Sequence, residues 1–163
     1  MARDPASANA TDASLIYRIG RVDQGIRKEM RLRLAEWDVS VPEFTALAVL
    51  KRRPGLSNAQ LARRSLVAPQ SMNEILVKLE DRGLVRREVD PDHARILRAV
   101  LTTEGEELLA VAEPAVVSIQ DQLFAGLSEA DRQVLSDALG SAMTKLRSGH
   151  ARSAGARAAA PVP

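Results

Sequence analysis

The stretch from Ser57 to Thr102 restricts the fold of this chain more than any other part. It reads SNAQLARRSLVAPQSMNEILVKLEDRGLVRREVDPDHARILRAVLT and carries the signals of a short helix, a turn, a second helix and a basic β-hairpin. Two helices joined by a short turn form a helix-turn-helix, and a hairpin after the second helix forms a wing. The sequence therefore predicts a mainly α protein with a small β-hairpin wing.

Local signals set the limits of these elements. Ser57, with Gln three residues later, forms a capping box that starts the first helix. Pro69 suits the first position of the second helix, and Gly83 suits the left-handed position after its end. Two strand-like runs, 84–89 and 96–101, are joined by an Asp-Pro turn, which predicts a hairpin.

Long helices are predicted on both sides of this stretch. Apolar residues recur every three or four positions over 12–38, and a capping box at Ser40 starts a helix that ends before Pro54. Thr102 or Thr103 starts another long helix, in which Pro114 predicts a kink. Ser128 caps a last helix, whose apolar residues are expected to be buried; they are Leu135, Ala138, Leu139, Ala142, Met143 and Leu146.

The composition excludes several classes of function. The chain has no cysteine and only two histidines, which excludes thiol redox sensing, disulfides and a Cys- or His-rich metal site. It shows neither an apolar run of membrane-spanning length nor an apolar secretion signal, so we expect a soluble cytoplasmic protein. We see no nucleotide-binding glycine loop and no catalytic carboxylate pair, so neither an enzyme nor a cofactor is expected.

The charge is concentrated in the middle of the chain. Between Lys51 and Arg98 there are eleven Lys and Arg against six Asp and Glu, a balance of +5 in a chain whose total is +2. A basic segment flanked by mildly acidic helices favours a polyanionic partner, although a solvated charged surface has the same composition. Together with the helix-turn-helix pattern, the charge predicts binding to double-stranded DNA.

The second helix of the motif carries a candidate reading surface. Its apolar residues Met72, Ile75, Leu76 and Leu79 share one face, which we expect to be buried. Gln and Asn side chains can form paired hydrogen bonds with adenine, and Ser can bond several base edges. The opposite face carries Gln70, Ser71, Asn73, Glu74 and Lys78. The alternative interpretation of this face is an ordinary solvated surface.

Other residues are candidates for backbone or groove contacts. A phosphate can dock at the start of a helix, which here involves Ser57, Asn58 and Pro69. An arginine at a loop tip can enter a narrow minor groove, and Arg95 stands nearest the predicted tip, with Arg86 on the first strand. A solvated edge arginine is the alternative for both.

One segment matches a known family pattern. VKLEDRGLVRR at 77–87 is followed by Asp90-Pro91, Arg95, Leu101-Thr102 and Gly105, and the first helix of the motif begins SNAQLA. This order resembles the MarR family of winged helix-turn-helix regulators over residues 15–147. The resemblance implies that Arg95 is the wing-tip arginine and that Gln70, Ser71 and Asn73 face the bases.

The chain departs from the family pattern at two positions. The family often has an aspartate that holds the wing where this chain has His93, so either Asp92 substitutes for it or the wing is looser. His93 is otherwise an exposed loop histidine or a pH-sensitive one. Glu74 stands where the family often has a DNA-facing polar residue, and it either accepts from cytosine or pairs with Lys78.

The resemblance also implies a dimer and a small-molecule effector. Apolar residues of the first and last helices can pack against a second chain, or else within one chain as a bundle. Family effectors are often small aromatic acids or phenols, and the candidate contacts are Tyr17, Arg21, Trp37 and Phe44. The expected organisation is a disordered N-terminus (1–11), an N-terminal dimerisation helix (12–38), a winged helix-turn-helix DNA-binding domain (39–102), C-terminal dimerisation helices (103–147) and a disordered tail (148–163).

The favoured function is thus a homodimeric DNA-binding transcriptional regulator, expected to be a repressor that a small aromatic ligand releases from a palindromic operator. One alternative is a DNA-binding regulator without an effector. Another, of a different class, is a helical protein–protein interaction module. Salt dependence separates them, because binding through arginine–phosphate contacts weakens steeply as salt is added and an apolar interface does not.

Overall fold

A computed structural model describes the backbone of residues 5–158 and the side chains of residues 14–146. Six helices and a three-stranded antiparallel sheet are present in that part of the chain, so the predicted mainly α fold with a small β wing is confirmed. The elements are α1 (Pro5–Leu34) with a following 3-10 turn (Ala35–Trp37), α2 (Val41–Arg52), β1 (Leu56–Ser57), α3 (Asn58–Ser65), α4 (Pro69–Asp81), β2 (Val85–Val89), β3 (Leu97–Leu101), α5 (Thr103–Leu123) and α6 (Glu129–Ala158).

The sheet consists of the predicted hairpin and one additional short strand. Strands β2 and β3 pair antiparallel, from Val85 opposite Leu101 to Val89 opposite Leu97. Strand β1 adds to the other edge of β3, with Leu56 opposite Ala99. The sequence did not predict β1, because two residues are too short to show the alternation that identifies a strand.

The predicted helix caps are present. Ser40 and Ser57 both form complete capping boxes, at the starts of α2 and α3. Gly83 has a φ of 68°, a left-handed conformation that glycine adopts without steric cost, and it follows α4. Leu84 N donates to Leu79 O over 2.9 Å across this turn, which reverses the chain into β2.

An aliphatic core fixes the helix-turn-helix and the wing on each other. The predicted inward residues of α4 are buried, except for Ile75, which is half-buried. Leu61 of α3 and Val85 of β2 are buried in the same cluster. The core also contains Leu34 of α1 and Leu109 of α5, so these flanking helices are anchored on the winged unit.

The ends of the chain are more helical than the sequence analysis expected. Helix α1 begins at Pro5 instead of residue 12, and α6 continues to Ala158 instead of ending near residue 147. Both added segments are rich in alanine, the best helix former, which lets a helix propagate without tertiary contacts. The expected disorder at 1–4 and 159–163 lies outside the described residues.

The chain divides into two compact units, with the boundary inside α5 after Gln120. In the second unit, Ser128 caps α6 as predicted, since Asp131 N donates to Ser128 Oγ over 3.2 Å. The apolar residues of α6 were expected to be buried, either by a second chain or by the same one; in the single chain Leu139 is 42% and Leu146 64% exposed. No described helix combines the length and the apolar character needed to cross a membrane.

Candidate nucleic-acid interface

Helix α4 presents the predicted polar side chains to solvent. With Met72, Leu76 and Leu79 almost fully buried, the helix has one fixed inward face. Pro69 at its first position is exposed as well. The outward side chains are Gln70, Ser71, Asn73, Glu74 and Lys78.

Asn58 ties the start of α3 to the start of α4. Its Nδ2 donates to the main-chain oxygen of Pro69 over 2.9 Å, and the side chain is half-buried. Ser57 accepts from Gln60 N in the capping box and is also half-buried. Asn58 therefore connects the two helices and Ser57 caps α3, whatever further contact they make with a phosphate.

Arg87 joins the wing to α4, a role that the sequence analysis did not give it. It lies on β2 and forms an ion pair with Glu80, while its Nη1 donates to Asn73 Oδ1 over 3.3 Å. The hydrogen bond with Glu80 raises the pKa of Arg87 above its ordinary value. Asn73, predicted to read bases, is thus also a partner of the wing.

Arg86 points to the other side of β2, because successive residues of a strand alternate. It is exposed and pairs with Glu88 over 2.7 Å. Both side chains are more than half exposed, and ion pairs in such positions contribute little to stability. Arg86 therefore remains accessible to a polyanion.

Asp90 holds the loop at the wing tip. It is only 4% exposed; Arg98 Nε donates to its Oδ2 over 2.6 Å, and Asp92 N donates to its Oδ1 over 2.9 Å. The hydrogen bond from Arg98 lowers the pKa of Asp90 below its ordinary value, against the effect of burial. The side chain of Asp92 does not replace the family aspartate in these contacts; the carboxylate of Asp90 accepts the hydrogen bonds that connect the loop to β3.

The wing and α4 enclose a groove of about 450 Å³. Arg95 lies on its wing side and is exposed, while Asn73 and Asn58 line it from the helices. An accessible cation therefore lines the same groove as Asn73 of α4. This arrangement can place amide groups in a major groove and a guanidinium group on the neighbouring phosphates or minor groove.

The four candidate ligand contacts have different surroundings in the single chain. Tyr17 and Arg21 are exposed neighbours on α1, with Arg21 Nη1 3.4 Å from the Tyr17 hydroxyl. Phe44 is a core residue, 6% exposed, and Trp37 is half-buried against the same core. Phe44 therefore packs α2 in this structure and does not line an open cavity. Within the described residues, no group of three acidic, His or Cys side chains is arranged to hold a metal ion.

Comparison with known proteins gives a consistent result. The MarR family model matches residues 37–96. The HTH-type transcriptional repressor Rv2887 of Mycobacterium tuberculosis is 40% identical over 119 residues, which cover 73% of this chain and 86% of that protein. It is named as a regulator and not as an enzyme.

Two solved structures extend the match to the fold. The crystal structure of Rv2887 with salicylic acid matches with a TM-score of 0.61 and 37% identity, and the match covers 78% of this chain and 92% of that one. The repressor CouR, known from Rhodococcus jostii RHA1, has been solved bound to a 23-mer DNA duplex. It matches with a TM-score of 0.71 and 25% identity, covering 78% of this chain and 90% of that one.

Proposed function

This chain belongs to the MarR family of transcriptional regulators, and we propose that it binds a palindromic operator as a homodimer and represses transcription in the cytoplasm. The observation that carries the proposal is the exposed polar face of α4 beside Arg95. Gln70, Ser71 and Asn73 read base edges, with Glu74 and Lys78 further along the helix. Ser57, Asn58, Pro69 and Arg86 contact the backbone, and Arg95 enters the minor groove.

The CouR complex with a DNA duplex supports this proposal, because its fold is shared with this chain. The charge distribution supports it as well, since the winged segment holds the excess of basic residues. An amide-rich helix face next to an exposed arginine of a loop that an ion pair holds in shape favours a DNA duplex over an apolar protein partner.

Selection of bound fragments from random duplexes, followed by two variants, tests the proposal. Arg95→Ala should weaken binding to every duplex and reduce the slope of log affinity against log salt by about one. Gln70→Ala should change the preferred sequence at one position of each half-site, at a cost of about 1–3 kcal/mol for the preferred base pair. Arg52→Ala, which removes an exposed arginine outside the interface, is the charge-matched control.

The DNA assignment would be overturned if the parent protein bound the selected duplexes with an affinity that does not depend on salt concentration. Binding through phosphates releases counterions and must weaken with salt. An asymmetric selected sequence would overturn the palindrome alone, because a two-fold dimer requires related half-sites.

We also propose that a small aromatic acid or phenol weakens DNA binding. Rv2887, the 40% identical relative, has been solved with salicylic acid. The exposed pair Tyr17 and Arg21 offers a ring and a cation for such a ligand on α1, whereas Phe44 contributes only by packing and Trp37 by its half-buried edge.

A titration with salicylic acid in the presence and absence of operator DNA tests the effector. DNA should weaken salicylate binding by the same factor as salicylate weakens DNA binding, because the coupling between two sites is reciprocal. Arg21→Ala should reduce the affinity for salicylate. If salicylate and its phenolic analogues leave DNA affinity unchanged, the proposed effector class is wrong, and the alternative of an effector-independent regulator is favoured.

A further inference from the structure

Arg82 reaches from the end of α4 to the end of α1. Its Nη1 donates to the main-chain oxygen of Asp38 over 2.6 Å, and its Nη2 donates to that of Trp37 over 3.1 Å. The two acceptors are consecutive carbonyls, 44 and 45 positions away in the sequence. One planar guanidinium group thus binds both, a fork that only arginine provides.

The carbonyls that Arg82 binds belong to a helix end. The last carbonyls of a helix have no partner within it, and they lie at the negative end of its dipole. Asp38 follows the 3-10 turn with a φ of 52°, in the left-handed region, and its N donates back to Ala35 O over 3.2 Å. A cation is therefore favoured at this position, and Arg82 supplies it from a different element.

The position of Arg82 is fixed on its own side too. It is the residue between α4 and Gly83, and its backbone N donates to Lys78 O over 3.2 Å. The left-handed Gly83 then turns the chain into β2. Movement of the Arg82 backbone would accordingly move the end of α4.

Open space separates the two helix ends around this contact. A groove of about 640 Å³ lies there, lined by Arg31 of α1, Ala35 of the turn, Ser40 and Glu43 at the start of α2, and Lys78 and Asp81 of α4. Both helices pack on α2 elsewhere in the core. At the groove itself, the hydrogen bonds of Arg82 connect the end of α4 to the turn that follows α1.

We propose that Arg82 is a positioning residue that transmits the placement of α1 to α4 and so sets the separation of the two α4 helices in the dimer. The inference rests on the homodimer of the proposed function. Helix α1 carries an exposed apolar face suited to a second copy, and Arg82 donates to carbonyls at the end of the 3-10 turn that directly follows this helix. Loss of the two hydrogen bonds of Arg82 leaves each α4 helix intact but lets the distance between the α4 helices of the two protomers vary.

Spin labels on α4 measure that distance directly. The chain has no cysteine, so Ser71→Cys introduces one labelling site per protomer on the exposed face of α4. Pulsed electron resonance on the DNA-free dimer should give a distribution of distances that is about twofold broader with Arg82→Ala than with the parent arginine. Arg82→Lys, which keeps the charge but not the fork, should also broaden it, and Arg52→Ala should not.

Equal widths for the parent and both Arg82 variants, with all proteins dimeric, would overturn the role of Arg82 and leave the proposed function standing. A parent that shows no interprotomer distance would overturn the homodimer and this inference together. Circular dichroism and thermal melting of each variant separate a positioning effect from unfolding, and Arg82→Lys remains decisive where Arg82→Ala does not fold.

A second measurement reads the same property through DNA. Duplexes with the selected half-sites at their natural spacing or moved apart by a few base pairs present different separations to the dimer. The parent should bind the natural spacing more tightly than the altered one. In Arg82→Ala, the ratio of these two affinities should be about fivefold smaller. Affinity for a duplex with one half-site should stay unchanged, because the reading face of α4 is not altered. Unchanged spacing discrimination would contradict the proposal.

Discussion

The carboxylate of Asp90 determines the shape of the wing loop because it accepts from both a side chain and the main chain. Arg98 and the backbone N of Asp92 both donate to it, and the carboxylate is buried. Since Arg95 is carried by this loop, the direction of the wing-tip cation depends on a residue that need not touch DNA. Its charge state is therefore a direct test of this arrangement.

Asp90→Asn should remove a pH-dependent part of the stability. The pKa of Asp90 is lowered in the folded state by the hydrogen bond from Arg98, so its contribution is present above the unfolded pKa of about 3.9 and is lost as pH falls through the folded value. Urea unfolding of parent and variant should give a difference that shrinks from about pH 6 to about pH 3. The exposed Asp92→Asn is the control; a difference that is constant with pH would contradict the role of Asp90.

Single residues show where sequence reasoning succeeds and where it stops. The outward face of α4 was predictable, because helical period places Gln70 and Ser71 opposite the apolar stripe. The contact between Arg87 and Asn73 was not, because it joins two elements across 14 positions, and their packing determines it. The same holds for Asp90, whose partner Arg98 lies on the opposite strand of the hairpin.

Among the elements, α5 depends on a close approach to the chain segment that follows α4. A Cβ atom at Gly105 would overlap the carbonyl oxygen of Leu84, and backbone atoms cannot turn aside as a flexible side chain can. Thr102 fixes the same junction, since its hydroxyl donates to Gly83 O over 2.6 Å and accepts from Gly105 N over 3.1 Å. Glycine at this position thus allows the start of α5 to rest against the wing.

Gly105→Ala should destabilise the fold by about 1–3 kcal/mol, the usual cost of overpacking a filled site. The measurement is the midpoint of urea unfolding. The slope of the free energy of unfolding against urea concentration should stay the same, because a changed slope would indicate altered compactness or loss of two-state unfolding. Gly126→Ala is the matched control, because nothing lies within 4 Å of a Cβ atom there. A Gly105→Ala midpoint equal to that of the control would show that α5 shifts freely away from Leu84.

Element boundaries were predictable where a cap marks them. Ser40, Ser57 and Gly83 place the limits of α2, α3 and α4 within a residue or two. Strand β1 was not predictable from two residues, and the extended ends of α1 and α6 were not because alanine-rich segments with glycine or serine suit both helix and disorder. Local signals therefore set starts and stops better than they set lengths.

For the whole molecule, the exposed apolar surface is the strongest sign of a second copy. On α1, Leu15, Ile16 and Ile19 are 51%, 73% and 55% exposed, and Val134 of α6 is 69% exposed. Scattered apolar residues are ordinary on a surface, but these recur on successive turns of long helices. The sequence predicted amphipathic helices there. It did not predict whether the same chain or a second one covers their apolar faces, because the apolar period shows that a face is buried but not what buries it.

A charge on α1 should separate the protomers without unfolding them. Ile16→Glu alters a side chain that is 73% exposed in the single chain, so the winged unit should keep its structure, while burial of the charge in an interface is costly. Sedimentation should show a dimer dissociation constant that is at least about tenfold higher than that of the parent. The affinity for a duplex with two half-sites should fall as the dimer dissociates. Gln24→Glu adds the same charge to the same helix as a control. Ile16→Glu that remains as dimeric as the parent would exclude the apolar face of α1 from the interface.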